Sequence, residues 1–293
     1  MTLEAFVQSL VFGVLVGALY GLAAAGLSLV FGVMKVLNVS HGELLMLGGY
    51  GSFWLFTLYG IDPFVSLLII GPLLFAIGIA LHLGLFSRLM RFDEETKINN
   101  SLLIGFGLAL VLQNLAIRAW SADERGINTA YAGAVTRLFD VSLPITRLIS
   151  LAVALLVIFA LHLFLTRTYL GKGIRATAED WQAATLVGID IRRTYLIAFA
   201  LGTALAGIAG TLVTVGYAVS PGIGLEWTLR ALVVIVLAGL GSVFGTFLGG
   251  LLLGVAEAAS VLFIGGAYRE VVGLVLFVLV LLIRPQGLFG RSR

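Results

Sequence analysis

The chain has 293 residues, of which 60% are hydrophobic and 11% are charged, and it carries a net charge of +3 and no cysteine. Soluble domains contain about a quarter charged residues, so this composition excludes an ordinary soluble protein and predicts an all-α polytopic membrane protein. It also excludes disulfides and thiolate sites, and the few positive charges, spread over loops, give no reason to expect nucleic-acid binding.

Eight stretches are apolar and long enough to cross a bilayer, which takes roughly 20 residues. They are residues 6–34, 41–59, 64–87, 98–120, 148–166, 194–217, 228–264 and 270–284. The first and the seventh are longer than one crossing and contain glycines, so we predict a full helix plus a half-helix or re-entrant turn in each. We expect a single transmembrane domain over residues 1–293 with about eight membrane-spanning helices.

Polar residues cluster where the first stretch meets the second, at Asn38, Ser40, His41 and Glu43. An ionisable side chain inside a membrane costs about 3 kcal/mol, so one interpretation is that these residues line the water-filled vestibule of a transport pathway. The other is that residues 35–43 form a short cytoplasmic turn, followed by a helix that Ser40 caps. The sequence leaves both interpretations open.

Residues 167–193 interrupt the apolar pattern with charged and polar side chains. If they share one side of the membrane with residues 88–97 and 284–293, that side holds most of the basic residues: Arg88, Arg91, Lys97, Arg167, Lys172, Arg175, Arg192, Arg193, Arg284, Arg291 and Arg293. Cytoplasmic loops are enriched in Lys and Arg, so we predict that this side is cytoplasmic.

Within this polar segment, residues 175–187 are good or neutral helix formers, and Gly188 is placed to end a helix in a left-handed conformation. Trp181 and Leu186 come close to one face of that helix. Because the segment is too polar to span a membrane, we predict a short surface helix whose apolar ridge docks into a groove of another protein.

A weak internal repeat relates the first and last thirds of the chain. With an offset of 203, residues 39–50 fall on residues 242–253, and Gly42 falls on Gly245. Each copy follows a glycine-interrupted apolar stretch, as in transporters whose repeated halves contain broken helices.

Small residues recur at four-residue intervals in three places. The sets are Gly13, Gly17 and Gly21; Gly202, Ala206 and Gly210; and Gly241, Gly245 and Gly249. Such spacing lets helix backbones approach closely in lipid. We predict packing seams, which are either purely structural or also slide during function.

Glu257 is a deeply placed acidic residue in the seventh stretch. It either faces a cavity in a transport pathway, caps a neighbouring helix, or pairs with Arg230 or Arg269 near the outer surface. No second carboxylate stands at a spacing typical of glycosidases or proteases, and the three histidines show no metal-ligand spacing. The phosphate-loop pattern is also missing, because Gly173 follows Lys172 where Ser or Thr is required. We therefore expect neither an enzyme nor a metal site.

An acidic residue followed by paired alanines and a glycine, here Glu179, Ala183, Ala184 and Gly188, is similar to the coupling motif of ABC-importer permeases. Further segments carry the resemblance: residues 38–43, 171–176, 186–189, 237–245 and 284–288. Together they resemble the branched-chain amino acid permease family, in its shorter, LivH-type subunit.

The resemblance implies a multi-pass permease of the bacterial inner membrane that forms half of a translocation pathway for branched-chain or other hydrophobic amino acids. It also implies three kinds of partner: a second homologous permease, two cytoplasmic ATPases that use ATP and Mg, and a periplasmic binding protein. No cofactor is expected on this chain itself. Permeases for urea, short amides or aromatic acids, and a passive channel or scaffold with a regulatory cytoplasmic helix, are the alternatives.

The expected site residues fall into two sets. Those expected to couple to the ATPase, within the segment 167–193, are Arg175, Glu179, Asp180, Trp181, Ala183, Ala184 and Gly188. Those proposed to line the pathway are Asn38, Ser40, His41, Glu43, Gly241, Gly245 and Glu257.

Overall fold

The computed structural model describes residues 3–138, 141–239 and 241–290. Its α-helices are Leu3–Met34 (α1), His41–Tyr59 (α2), Pro63–Gly84 (α3), Glu94–Trp120 (α4), Ile145–Arg167 (α5), Tyr169–Glu179 (α6), Trp181–Leu186 (α7), Ile191–Gly216 (α8), Ile223–Ala238 (α9), Val243–Ile264 (α10) and Arg269–Ile283 (α11). The antiparallel strands Val135–Leu138 (β1) and Val141–Pro144 (β2) form one small hairpin, and 3₁₀ turns cover Phe86–Arg91 and Gly266–Tyr268.

The prediction of an all-α polytopic membrane protein is confirmed. Among the described residues, seven helical segments are long and apolar enough to cross a bilayer: α1, α3, α4, α5, α8, α10 and the segment containing α11. The α2 helix has only 19 residues and begins with polar side chains, and α9 has only 16 residues. The predicted number of about eight spans is therefore approximate.

Glycines break the seventh apolar stretch but not the first. Two glycines separate α9 from α10 with positive φ angles, Gly239 at 98° and Gly241 at 94°, a region that favours residues without a side chain. The break predicted in residues 6–34 is wrong, because α1 is continuous over 32 residues. Its glycines instead allow close packing, since a Cβ added at Gly17 would lie 2.7 Å from the backbone oxygen of Gly250 on α10.

The α1 and α8 helices form the centre of the bundle. The α8 helix packs against α1, α2 and α3, and a Cβ added at Gly202 would lie 2.7 Å from the Gly26 oxygen of α1. The seam predicted at Gly241, Gly245 and Gly249 does not form, because Gly241 precedes α10 and the contacts with α1 come from Gly250 and its neighbours on another face.

The α2 helix begins deep inside the bundle. Its first residue, His41, contacts Gly26 of α1, and Gly26 lies beside Gly202 of α8. Gly26 is 8 residues before the end of α1, and Gly202 is 11 residues after the start of α8. At 1.5 Å per residue these offsets place His41 about 12–16 Å from the helix ends, near the middle of a hydrocarbon core of about 30 Å. In the non-helical chain before His41, Asn38 and Ser40 are buried, 2% and 0% exposed. The interpretation of residues 35–43 as a cytoplasmic turn is therefore wrong.

The α9 helix starts at the same depth and meets the start of α2. Thr228 of α9 accepts a hydrogen bond from the Gly42 backbone at 2.8 Å and donates one to the Val39 carbonyl at 3.1 Å. From this point α2 and α9 run towards opposite ends of the bundle, because α9 ends where residues 288–289 bond its last carbonyls. We call the meeting point of these two helix N-termini the α2–α9 junction.

One end of the bundle carries the surface elements with most of the basic residues. A single groove brings together the chain around Arg91 and Lys97 and the chain around Trp181 and Arg192. The end of α1 lies beside Gly241, close to the segment 284–290 that follows α11. We call this end, formed by residues 86–97, 167–193 and 284–290, the basic face.

The two copies of the predicted internal repeat begin at different depths in the bundle. Both copies begin a helix, at His41 and at Val243. However, α2 begins inside the bundle, whereas α10 begins near the end of α1. A Cβ added at Gly32, close to the end of α1, would lie 3.0 Å from the Cα atom of Gly241. The repeat stays a prediction.

Candidate functional site

The polar cluster of the sequence is buried at the α2–α9 junction. Ser40 donates its hydroxyl to Asn38 Oδ1 at 2.6 Å, so it does not cap α2. His41 Nε2 lies 2.8 Å from the carbonyl oxygen of Ala23, which it bonds. Three of the four predicted pathway residues here are thus engaged in packing and hydrogen bonding within the chain.

Glu43 differs from its neighbours because part of its carboxyl group has no partner. It is 2% exposed, and its Oε2 atom makes no hydrogen bond among the described residues. The carboxyl lies against Gly224 in the first turn of α9, where a side chain would displace it. A helix N-terminus presents unpaired N–H groups and a positive dipole end, so this position favours an anionic or hydrogen-bond-accepting group. Buried ionisable groups with incomplete bonding inside a membrane are typical of functional positions.

Glu257 lies in a second buried polar cluster, at the start of α11. Tyr20 donates its hydroxyl to Glu257 Oε2 at 3.0 Å, and Arg269 donates its Nε–H to the same oxygen at 2.9 Å. The pairing with Arg269, one of the three predicted alternatives, is therefore present. Glu257 also borders a cavity of about 120 Å³ between α9, α10 and α11, so this pair lies beside open space.

Arg230 connects this cluster to α9 and α11. Its guanidinium lies 2.7 Å from Glu226 one turn earlier and 2.7 Å from Glu270 on α11. Stacking of Arg230 over Tyr20, 5.3 Å from the ring centre, joins the two groups. Together these contacts fasten α1, α9, α10 and α11 to one another.

The two glycines of the predicted pathway set lie elsewhere. Gly241 is exposed beside Gly32, and Gly245 packs against Ser242 and Phe289. The structure therefore brings neither to the Glu43 or the Glu257 cluster, and a pathway role for them stays a prediction.

The predicted surface helix is present, but it is two helices instead of one. The continuous helix expected over residues 175–187 is wrong, because it breaks at Asp180, whose backbone is extended. Asp180 caps α7 by accepting hydrogen bonds from the backbones of Gln182 at 2.8 Å and Ala183 at 3.0 Å. Gly188 takes the predicted left-handed conformation, with φ of 84°, after the end of α7.

The side chains of the α7 region divide into exposed and buried groups. Trp181, Leu186 and Val187 are exposed, Leu186 by 88%. Ala184 is instead buried against the chain itself, as the inward side of α7. Arg175 and Glu179 lie on the exposed part of α6. A partner would therefore meet an apolar surface made by Trp181, Leu186 and Val187.

Sequence reasoning missed the α9 half of the junction. Gly224 and Thr228 fall at the edge of a long apolar stretch, and no pattern ties them to residues 38–43. The polar start of α9, with Glu226 and Arg230 one turn apart, is the one signal that could have marked it.

A family model and several known proteins identify the family of this chain. A family model described as a branched-chain amino acid transport system permease component matches residues 9–283. The chain is 34% identical to the high-affinity branched-chain amino acid transport system permease protein BraD of Pseudomonas aeruginosa, over 98% of this chain and 96% of that protein. The chain belongs to the branched-chain amino acid permease family.

Two further relatives indicate which kind of subunit the permease is. It is 32% identical to LivH of Escherichia coli over 98% of its own length and 96% of that protein. It is also 28% identical to LivM of the same organism, over 94% of its own length but 68% of LivM. The permease therefore resembles the shorter subunit over nearly its full length, and it is a multi-pass protein of the inner membrane.

Proposed function

We propose that this permease forms one half of an ATP-driven importer for branched-chain amino acids. The proposal is supported by its likeness to BraD and LivH, which are permeases of high-affinity branched-chain amino acid transport systems. The second half is a LivM-like permease, ATP and Mg are used by separate ATPase subunits, and a periplasmic protein delivers the amino acid.

The α2–α9 junction is the proposed position of the pathway. Transporters often bind their substrates near the midplane, where discontinuous helices present their N-termini. The junction has this geometry, and Glu43 adds a carboxyl group to it. The second permease would complete the pathway against this side of the chain.

The observation that carries the coupling proposal is the exposed apolar surface of α7. An apolar surface on a six-residue helix outside the membrane has no packing role within the chain, and it is typical of a docking element. Leu186 is the most exposed of its residues. We propose that α7 inserts into a groove of the ATPase and that its movement is passed to α8.

Uptake of radiolabelled leucine by the reconstituted complex tests this proposal. Leu186→Glu places a charge in the docking surface, so we expect uptake to fall at least tenfold while the permease stays folded in the membrane. Tyr169→Glu is the matched control, because Tyr169 is 84% exposed on α6 but lies outside α7. It should retain uptake within about twofold.

Three results would contradict the proposal. Normal uptake by Leu186→Glu would remove the coupling role of α7. Uptake of leucine without any ATPase would indicate a passive channel, and stimulation of the ATPase by urea, short amides or aromatic acids, but not by leucine, would assign a different substrate class.

A further inference from the structure

A groove on the basic face separates α7 from the chain that joins α3 to α4. Its volume is about 660 Å³, large enough for a small ligand or a lipid headgroup. Its lining includes the basic residues Arg91, Lys97 and Arg192 and the aromatic residue Trp181. The groove is therefore a basic site that directly borders α7.

The deep part of the groove contains a buried polar side chain without a partner. His82 is 2% exposed, and its Nδ1 atom makes no hydrogen bond among the described residues. Lys97 is 9% exposed, and its charge is attracted by Glu94 and Asp93, although neither carboxylate lies within 4 Å of it. Buried polar groups are normally hydrogen-bonded, and buried charges are normally paired. The unpaired nitrogen of His82 indicates that a ligand completes the site, and the basic side chains of the lining favour an anion.

The two acidic residues of the groove are already engaged. Asp93 accepts a hydrogen bond from the backbone of Thr96 at 3.0 Å, and Asp190 accepts one from the backbone of Arg193 at 3.1 Å. The bond from Thr96 lowers the pKa of the Asp93 carboxyl, which therefore stays ionised as a helix cap. Neither carboxylate bonds Lys97, so three basic side chains face the groove against two capping carboxylates.

The surroundings of the groove favour a lipid over a soluble anion. The helix ends that form it, those of α3 and α4, continue directly into exposed leucines, including Leu83 at 60% and Leu103 at 73%. Phe92 in the groove itself is 49% exposed. A ligand held here by its charged group would therefore have an apolar surface beside it for acyl chains.

We propose that this groove binds the phosphate headgroup of an anionic phospholipid from the adjacent leaflet. Arg91, Lys97 and Arg192 contact the phosphate, His82 donates to it from the floor, and the acyl chains lie along α3 and α4. Basic pockets between helices at the cytoplasmic surface are known to suit such headgroups. Because Trp181 and Thr185 of α7 border the same groove, the bound lipid also fixes the position of the docking helix.

Native mass spectrometry of the full-length chain in detergent measures this binding. Phosphatidylglycerol is titrated in one arm, phosphatidylcholine in a second, and inorganic phosphate competes with phosphatidylglycerol in a third. The test variant is Arg91→Gln with Arg192→Gln, and the matched control is Arg88→Gln with Arg193→Gln. The control removes the same charge from neighbouring residues that do not line the groove.

Each basic side chain near the headgroup contributes about fivefold to the affinity, so we expect the test variant to bind phosphatidylglycerol about thirtyfold more weakly than the wild type. The affinity of the control variant should stay within about threefold of the wild type. Lys97→Met, which keeps the buried alkyl chain but removes one charge, should weaken binding about fivefold. Equal binding of phosphatidylglycerol by all variants, or equal affinity for phosphatidylcholine, would overturn the proposal. Full displacement by millimolar inorganic phosphate would assign the site to a soluble anion instead of a lipid.

Discussion

Replacing Gly42 by alanine tests the close approach of two helix N-termini at the α2–α9 junction. A Cβ at Gly42 would lie 2.7 Å from the carbonyl carbon of Gly224, closer still to its oxygen, and 2.5 Å from Thr228 Oγ1. Ordinary contacts begin near 3.4 Å, and the obstacle is backbone, so α2 and α9 must separate by about an ångström. Overpacking of this kind costs about 1–3 kcal/mol, and it also breaks the hydrogen bond between Gly42 and Thr228.

The thermal unfolding midpoint of the purified permease in detergent measures this cost. At about 2–4 °C per kcal/mol, the Gly42→Ala variant should lose about 2–12 °C. Gly107→Ala is the control, because Gly107 lies within α4 with nothing within 4 Å of an added Cβ. In that helix alanine is favoured over glycine by about 1 kcal/mol, so the control should be unchanged or slightly stabilised. Equal midpoints for the two variants would refute the close contact at the junction.

Three further substitutions test the polar cluster around Glu257 and the docking helix α7. Glu257→Gln should destabilise the permease by about 2 kcal/mol in the same assay, less than the loss of a fully buried pair, because Arg269 is partly exposed. Glu270→Gln, on the exposed side, should cost under about 1 kcal/mol. A larger loss for Glu270→Gln than for Glu257→Gln would place the important contact at Glu270. Asp180→Ala removes the cap of α7, which is worth about 1 kcal/mol, so backbone hydrogen exchange should become faster in residues 181–186 but not in α6. Unchanged exchange would show that Asp180 does not hold α7 in place.

Hydropathy predicts most of the membrane-spanning helices, because every backbone group in lipid must be bonded within a helix. It does not predict which glycines break a helix. Gly17 and Gly241 look alike in the sequence, yet Gly17 faces the backbone of α10 inside a continuous helix, whereas Gly241 takes a positive φ between two helices. The difference depends on which neighbour each glycine meets, and that information is tertiary.

The polar segments show the same limit. Polar residues near position 40 are compatible with a surface turn and with a buried junction, and only the contacts of His41 with the middle of α1 decide their depth. The break at Asp180 has a local cause, because Asp is a strong cap for the residues that follow it. The prediction of one continuous helix followed the helix propensities of residues 175–187 and missed this cap.

The arrangement of small residues indicates how movement of α7 would reach the α2–α9 junction. Four residues, 187–190, connect α7 to α8. The α8 helix touches α1 through Gly202 and α2 through Gly210 by direct backbone contact. Close-packed contacts of this kind do not deform gradually, so α8 and the start of α2 would move together.

Few polar bonds join the two helices at the junction, where that path ends. Its helices are joined by the two hydrogen bonds of Thr228, while Glu43 keeps a buried oxygen without a partner. Such an oxygen costs about 1–3 kcal/mol, and water entering an opened junction would remove that cost. Hydration of this one oxygen would therefore favour a small displacement of α2 relative to α9.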